Sequence, residues 1–505
     1  MKNKLALQIC GTGSGVGKSV IAAALCRIFL QDGFRTSPFK AQNMALNSYV
    51  TRDGREIGRA QAVQAQAARV EPSADMNPIL IKPMSDRKAQ IILKGKPLAN
   101  MSVYEYVEYK REAKKEVLAS FNRLSREYDI VVIEGAGSPA EINLRSHDIV
   151  NMEMAKRAHA PVILVGDIDK GGVFAWLVGT LELLSREEKT MVKGFIINKF
   201  RGDKRLLRPG IKFLEKKTGI KVLGVIPYFK DIRIPEEDAV PLEKRADSKK
   251  SMANLEELLD IAVVNLPHIS NFTDFDALEN EPDVTLRYVS SAPELGSPDV
   301  VIIPGTKNTI FDLHYLRRSG IAEAIRRLQL ENPSLCITGL CGGYQMLGEC
   351  IYDEDSTESA KKETRGLRLL PVATVFKRKK ILSQVRAREI ASGTTVSGYE
   401  IHHGRTRMLN GCLPVFRVTE RRGKKTSALE GASLENGRVW GTYLHGVFDA
   451  DGFRRIFLNR IRHGKGLRLL GSSSSDPDRE FDKLAGLVRK NLNLKLLYKI
   501  IKKGV

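Results

Sequence analysis

Cys341 is the residue of this chain whose surroundings most resemble a reaction centre. It lies in Gly339-Leu340-Cys341-Gly342-Gly343-Tyr344-Gln345, after the apolar run Leu335-Cys336-Ile337-Thr338 and before Met346-Leu347-Gly348. A strand, a sharp glycine-flanked turn and a helix start expose one side chain at the end of a parallel sheet. A thiol at a helix N-terminus is favoured as thiolate, and the backbone N–H that follows it can face an oxyanion. The chemistry also needs a base. His445, in Trp440-Gly441-Thr442-Tyr443-Leu444-His445-Gly446 at the end of another apolar run, is the leading candidate. His402 and His403, in Glu400-Ile401-His402-His403-Gly404, compete with it. On a strand those two face opposite sides, so at most one points into a common site. A cysteine with a distant histidine reads as acyl transfer through a thioester.

A second centre lies near the start. Leu5–Cys10 reads as a strand, Val20–Leu30 as a helix, and Gly11-Thr12-Gly13-Ser14-Gly15-Val16-Gly17-Lys18-Ser19 joins them. Such a loop cradles phosphate on its backbone N–H groups, here from Thr12, Gly13, Gly15, Val16 and Gly17. Lys18 then reaches the terminal phosphates and the Ser19 hydroxyl binds Mg²⁺. The strict spacing puts a glycine where Thr12 stands, with Gly11 one residue early, so this is a variant P-loop. A flexible turn of small residues is the competing reading.

Polar clusters recur where other strands end. Ile130–Ile133 leads into Glu134, a natural Mg²⁺ ligand beside a P-loop. Gly166-Asp167-Ile168-Asp169 carries two acids, Phe39-Lys40-Ala41-Gln42-Asn43 a lysine and two amides, and Ile197-Asn198-Lys199 an amide that suits a base edge. Their shared location favours one nucleotide and metal site over separate loop chemistry.

These motifs must be held by elements, and the apolar runs indicate which. Leu5–Cys10, Ile130–Ile133, Pro161–Val165, Gly194–Ile197 and Val222–Ile226 alternate with helical segments, the rhythm of a parallel sheet covered on both faces. A second series runs through Ile261–Leu266, Val300–Ile303, Leu335–Thr338 and Arg438–Tyr443. The fold class is α/β with two doubly wound domains. Boundaries are expected at 1–242 for the P-loop domain, 243–256 for a polar linker and 257–470 for the thiol domain. A Ser-rich loop and terminal amphipathic helix fill 471–505, with Phe481, Leu484, Leu487, Val488 and Leu492 at helical spacing.

The 505 residues are 42% apolar and 28% charged, as in soluble globular proteins. No apolar run approaches the ~18 residues that span a bilayer. The apolar stretch after Met1-Lys2-Asn3-Lys4 is too short for a signal peptide and runs into the glycine loop, so a cytoplasmic location is expected. Six cysteines without Cys-x-x-Cys spacing argue against disulfides and structural zinc. The net charge is +22, and Phe453–Val505 supplies +10 of it, with 14 Lys and Arg against 4 Asp and Glu. The charge is spread out and lacks an aromatic-basic or recognition-helix pattern. The tail's charges therefore read as a solvated face and not a binding surface, and no nucleic-acid partner is expected, while the positive field favours polyanionic substrates and nucleotides.

The chain resembles the cobyric acid synthase family, glutamine-dependent amidotransferases of cobalamin biosynthesis. The likeness rests on Gln42–Ser48 continuing through Glu56–Ala62, on Asp167–Phe174, Gly194–Asp203, Ile269–Phe275, Pro304–Thr309, Gly398–Thr406 and Gly441–Asp449, and on the terminal helix Phe481–Ile500. Ala41 and His268 depart from the family pattern, where proline and arginine are expected.

The resemblance implies a dethiobiotin-synthetase-like N-terminal domain and a C-terminal domain like class I glutamine amidotransferases. It implies that ATP and glutamine amidate four carboxylates, b, d, e and g, of adenosylcobyrinic acid a,c-diamide. Cys341 would attack the glutamine amide, and His445 would take the thiol proton and return one to the leaving ammonia. The oxyanion would meet the N–H of Gly342 and one from Gly305 or Thr306, and the motif implies that Gln345 holds glutamine. Lys18, Lys40 and Mg²⁺ would steady phosphoryl transfer that makes an acyl phosphate, and ammonia would travel through the protein. Asp148 positions substrate or caps a helix, and Asn43 is a further substrate-positioning candidate. Ordinary class I enzymes place a glutamate two residues after the histidine. Val447 stands there, so a Cys–His dyad is expected, with nothing assigned to orient the ring.

Three rivals make different demands. Cobyrinic acid a,c-diamide synthase acts earlier on the same ring, and the segment Gln42–Gln61 argues against it. A partitioning-type ATPase has no use for Cys341 and His445. A nucleic-acid-binding protein would show salt-sensitive, sequence-independent DNA affinity.

Overall fold

Six short strands, apolar almost throughout, form the central sheet of one unit. They are β1 (Leu5–Gly11), β2 (Thr36–Phe39), β3 (Ile130–Glu134), β4 (Val162–Asp167), β5 (Val192–Phe200) and β6 (Val222–Pro227). The order is β6-β5-β4-β1-β3-β2, all parallel, with Ile9 beside Glu134 and Cys10 beside Leu164. From β1 the chain runs to one edge and later returns to the other side. This switch point opens a crevice beyond the carboxyl ends of β1, β3 and β4, where the glycine loop lies. The computed structural model describes residues 5–85, 88–229, 231–235, 257–472 and 476–505. The expected linker at 243–256 and residues 473–475 of the Ser-rich loop lie outside them.

Helix α1 (Lys18–Gln31) follows the loop. Residues 21–29 are all buried, which is more than one face of a helix can deliver to a sheet. The second covering is α2 (Pro477–Asn491), whose Phe481, Leu484, Ala485 and Val488 join the α1 core. Buried Arg27 of α1 pairs with Asp482 at 2.7 Å and Asp478 at 2.9 Å. The C-terminal segment therefore belongs to the nucleotide unit, not to a separate tail. The single helix expected over Phe481–Ile500 is two. Asn493 Oδ1 accepts from Leu496 N and caps α3 (Leu494–Lys503), while Asn493 N donates to Leu223 O in β6.

The other unit has its own six-stranded sheet. Its strands are β7 (Leu259–Val264), β8 (Val284–Val289), β9 (Val300–Ile303), β10 (Cys336–Leu340), β11 (Ala432–Ser433) and β12 (Val439–Thr442), in the order β8-β7-β9-β10-β12-β11. All pairs are parallel except β11 with β12. A further sheet pairs Val372–Glu389 with Thr395–Met408 in antiparallel register.

The nucleotide unit comprises the described parts of Met1–Ala45, Glu56–Asp238 and Asp476–Val505. The thiol unit comprises Leu46–Arg55 with the described part of Ala239–Ser475. The expected division at 242 thus misses an excursion: Ser48–Val50 is a short strand whose Val50 packs with Leu382, Tyr399 and Ile401. Among the described residues no helix is long and apolar enough to cross a membrane.

Candidate active site

Strand β10 ends at Leu340 and α4 (Gly342–Leu347) starts at once. Cys341 makes the corner with φ 49° and ψ −104°, a conformation costly for a side-chain-bearing residue. The turn closes only because the neighbours are small: a Cβ on Gly343 would lie 1.9 Å from Ile303 O. Cys341 N donates to Thr442 O at 2.8 Å, which ties the corner to β12. Three residues later His445 emerges, 1% exposed.

Asp274 holds the ring of His445. It lies in the one-turn helix Phe272–Phe275, is itself buried, and sets Oδ2 2.6 Å from His445 Nδ1. Its Oδ1 accepts from Gly446 N at 2.9 Å. A carboxylate on Nδ1 makes that nitrogen the donor and leaves Nε2 for the thiol. Burial alone disfavours a charged ring. The Asp274 carboxylate outweighs burial and, with a contribution from the Cys341 sulfur, pushes His445 up to about 10. Asn271 Nδ2 lies 3.4 Å from Nε2 and 3.5 Å from Nδ1, and the Tyr399 ring stacks on the imidazole at 5.2 Å.

The other expected residues of this unit gather around the thiol. Gly342 is the first residue of α4, so no intrahelical acceptor awaits its N–H. A Cβ on Gly342 would lie 3.2 Å from Thr306 N, and one on Gly305 would lie 3.2 Å from His445 Cε1 and 3.6 Å from Cys341 Cβ. The Gln345 side chain is engaged at both ends: Oε1 accepts from Thr309 Oγ1 and Nε2 donates to the Tyr443 hydroxyl. Val447 is apolar core. His403 Nδ1 donates to Lys377 O at 3.0 Å. His402 is buried and stacked on Tyr443 at 3.6 Å, with Nδ1 donating to Gly404 O. Burial pushes it well below the ordinary histidine value, and among the described residues its Nε2 has no hydrogen-bond partner.

In the nucleotide unit the glycine loop is shaped by two glycines. Gly15 has φ +68°, and Gly17 has φ +97° with its missing Cβ 2.1 Å from Asn198 Nδ2. Asn198 Nδ2 donates to Val16 O, so the expected base reader braces the loop. Lys18 Nζ donates to Gly13 O and Gly137 O across the mouth of the crevice. Glu134 Oε1 accepts from Ser19 Oγ at 2.8 Å and Lys40 Nζ at 2.9 Å, while Oε2 accepts from Gln64 Nε2. Burial opposes ionisation of Glu134, but the Lys40 ammonium and the Gln64 and Ser19 hydrogen bonds hold its carboxyl below the usual carboxylate range.

These residues fit a Mg²⁺–nucleotide. Ser19 and Glu134 bring two hard oxygen donors together, and magnesium takes its other ligands from phosphate and water. Thr12 Oγ1 is buried with no hydrogen-bond partner among the described residues, and a Cβ on Gly13 would meet nothing within 4 Å. Among the described residues no group of three His, Cys, Asp or Glu forms a metal cage. Of the two roles open to Asp148, its hydrogen bonds are those of the helix cap. Its carboxylate accepts from the N–H groups of Val150, Asn151 and Glu153 at the start of helix Met152–Ala158. Asn43 is buried and donates to Gln61 Oε1, one step from Glu134.

Residues 260–453 match the CobB/CobQ-like glutamine amidotransferase domain, and residues 7–242 match the CobQ/CobB/MinD/ParA nucleotide binding domain. The cobyric acid synthase of Dehalococcoides mccartyi is 49% identical over 507 residues, covering 99% of this chain and 98% of the relative. The chain belongs to the cobyric acid synthase family. That of Pelotomaculum thermopropionicum is 50% identical, covering 98% of this chain and 96% of the relative. That of Clostridium botulinum is 49% identical, covering 98% and 99%. The protein is thus a glutamine-dependent amidotransferase of the ligase type, with a nucleotide-binding domain that uses ATP.

Within this family frame, the residue missed by sequence reasoning is Asp274. Its signal was an acid flanked by Phe272 and Phe275, inside a segment already recognised as family-like. Spacing could not pair it with a histidine 171 positions away.

Proposed function

We propose that the protein amidates the b, d, e and g carboxylates of adenosylcobyrinic acid a,c-diamide, using ATP, Mg²⁺ and glutamine. The observation that carries the glutaminase half is the alignment of Cys341, His445 and Asp274 in one buried site. Cys341 Sγ attacks the glutamine carboxamide carbon. The N–H of Gly342, with that of Gly305 or Thr306, stabilises the oxyanion. Imidazolium His445, kept charged by Asp274, protonates the departing nitrogen, and ammonia leaves behind a thioester. Water then releases glutamate. Gln345 shapes the glutamine site through its bonds to Thr309 and Tyr443.

A carboxylate does not react with ammonia directly, since oxide would have to leave. Transfer of the terminal phosphoryl group of ATP to the carboxylate oxygen releases ADP and makes an acyl phosphate, from which ammonia displaces phosphate. A bound Mg²⁺ would neutralise phosphate charge during the transfer. Ser19 and Glu134 would hold it. Lys18 leaves its carbonyl partners for phosphate oxygens, and Lys40 faces the same charge from beside Glu134. Thr12, Gly13, Gly15, Val16 and Gly17 lend backbone or hydroxyl donors, with Asn198 bracing them. A cytoplasmic location accords with ATP and glutamine as substrates.

The test offers the a,c-diamide and the ring lacking both amides in turn, with glutamine and ATP. Amide formation on the first and not on the second supports the reading. The reverse preference would transfer the protein to the earlier step.

A further inference from the structure

Ten residues from the N-terminal half are built into the glutaminase unit. The chain leaves the nucleotide unit after Ala45, contributes Leu46–Arg55 to the thiol unit, and returns at Glu56. Within the thiol unit Asn47, Ser48, Val50 and Thr51 of this segment are buried, unlike a surface connector. Ser48 N donates to Asn271 Oδ1 at 2.9 Å, and Phe272 N donates to Asn47 Oδ1 at 3.2 Å. The Tyr399 hydroxyl donates to Ser48 O at 3.0 Å. Gln384 Nε2 donates to the Tyr49 hydroxyl and Val50 O from the far side.

The partners of this strap are the groups that surround His445. Asn271 places its amide against both ring nitrogens, Phe272 begins the turn that carries Asp274, and Tyr399 stacks on the imidazole. Tyr399 and His445 also exchange backbone hydrogen bonds, 3.1 Å and 2.9 Å. The His445–Asp274 geometry is therefore bounded on two sides by residues that Asn47 and Ser48 hold.

The strap is covalently continuous with the phosphate side of the nucleotide unit. Lys40, six positions before Leu46, bonds Glu134, and Asn43 bonds Gln61, which reaches the same carboxylate. At the other end Glu56 is buried and paired with Lys82 at 2.8 Å. Bound Mg²⁺ and phosphate would compete for Lys40 and Glu134, and only two residues separate Asn43 from Leu46.

We propose that Leu46–Arg55 is a coupling strap: Asn47 and Ser48 are positioning residues for His445, and their seating responds to occupancy of the nucleotide and corrinoid sites. This rests on the glutaminase and synthetase roles proposed above. A glutaminase tuned by such a strap hydrolyses glutamine slowly when the synthetase is empty, which limits wasted ammonia.

The test measures glutamine hydrolysis with and without ATP plus the a,c-diamide, and in parallel synthesis from ammonium. The wild type should hydrolyse glutamine faster with both ligands. Asn47→Ala should lower stimulated hydrolysis by about tenfold, the scale of one or two lost hydrogen bonds, and flatten the response to ligands. Asn47→Asp, which keeps the acceptor, should recover most of the rate. Gln384→Leu loosens the strap from its far side and should flatten the response with a smaller loss. Ammonium-driven synthesis should stay within about twofold in a folded variant, since the strap bonds lie apart from phosphoryl transfer. If Asn47→Ala loses ammonium-driven synthesis as well, Gln384→Leu decides. A wild-type rate indifferent to the ligands, or strap variants with an unchanged response, would overturn the proposal. A wild type that neither hydrolyses glutamine nor amidates the corrinoid would instead overturn the functional reading beneath it.

Discussion

Replacing Asp274 with asparagine probes the glutaminase chemistry with the smallest change of shape. The carboxylate serves two donors, Gly446 N at 2.9 Å and His445 Nδ1 at 2.6 Å. Asparagine has one carbonyl oxygen, so its NH₂ must face one of them. Either the imidazole turns to the wrong tautomer or the Gly446 turn loses its anchor. A hydrogen bond to a charged group contributes about 1.5–3 kcal/mol, and 1.36 kcal/mol is tenfold in rate, so glutaminase kcat should fall about 10- to 150-fold. The pH profile should also move. His445 is raised from 6.5 to about 10, so the stabilisation from its charged form is fully present below the unfolded value of about 6.5 and fades as pH rises through about 10. Losing the Asp274 charge brings that upper limit down, and the alkaline limb of glutamine hydrolysis should shift to lower pH. The assay is glutamate release across pH, with ammonium-driven synthesis as the control. A variant within about threefold of the wild type, with an unmoved alkaline limb, would refute the assignment of Asp274 to the ring, because a lost charged bond cannot cost so little.

Cys341→Ala should abolish glutamine use and leave ammonium-driven amidation largely intact, measured as corrinoid amide at high ammonium and alkaline pH. Lys18→Ala should cut synthesis from either nitrogen source by more than about a hundredfold, on the scale of ~3 kcal/mol of transition-state stabilisation; near-normal synthesis would reduce the glycine loop to a structural turn. His445→Ala should eliminate glutamine hydrolysis while Val447→Ala spares it, and a stronger loss at His402 or His403 than at His445 would mean a different base. Asp148→Ala should cost about 1 kcal/mol of stability in denaturant melts, the value of a helix cap, with little change in the KM for corrinoid.

The inner strands of both six-stranded sheets were legible in the sequence because strands buried on two faces read as unbroken apolar runs, and each of those runs falls on a strand, whereas the edge strands β2, β8 and β11 were not read. The elbow at Cys341 and the glycine loop were legible because tight turns demand small residues at fixed offsets. The antiparallel sheet carrying His402 and His403 was not assigned. Lys377, Arg378, Lys379 and Lys380 interrupt its first strand with four consecutive cations, and the pairing with Thr395–Met408 shifts register between Phe376 and Ile381. The terminal helix kept one apolar stripe across Leu492, so periodicity concealed the break that Asn493 caps. The strap was hidden for a different reason. Leu46–Arg55 is continuous with a nucleotide-unit motif, and only tertiary contacts show that its burial lies in the thiol unit. Asp274 shares that reason: a buried acid is visible in sequence, but its partner is not.

The central claim is that one chain couples a Cys341 glutaminase to ATP-driven amidation of a corrinoid. The most direct measurement supplies purified protein with ATP, Mg²⁺, adenosylcobyrinic acid a,c-diamide and glutamine labelled with heavy nitrogen in the side-chain amide, and follows the corrinoid by mass spectrometry. The account predicts a product with four labelled amides from the wild type and none from Cys341→Ala, which on addition of unlabelled ammonium should give the same four amides without label. A corrinoid that stays unlabelled while ATP and glutamine are consumed would contradict it.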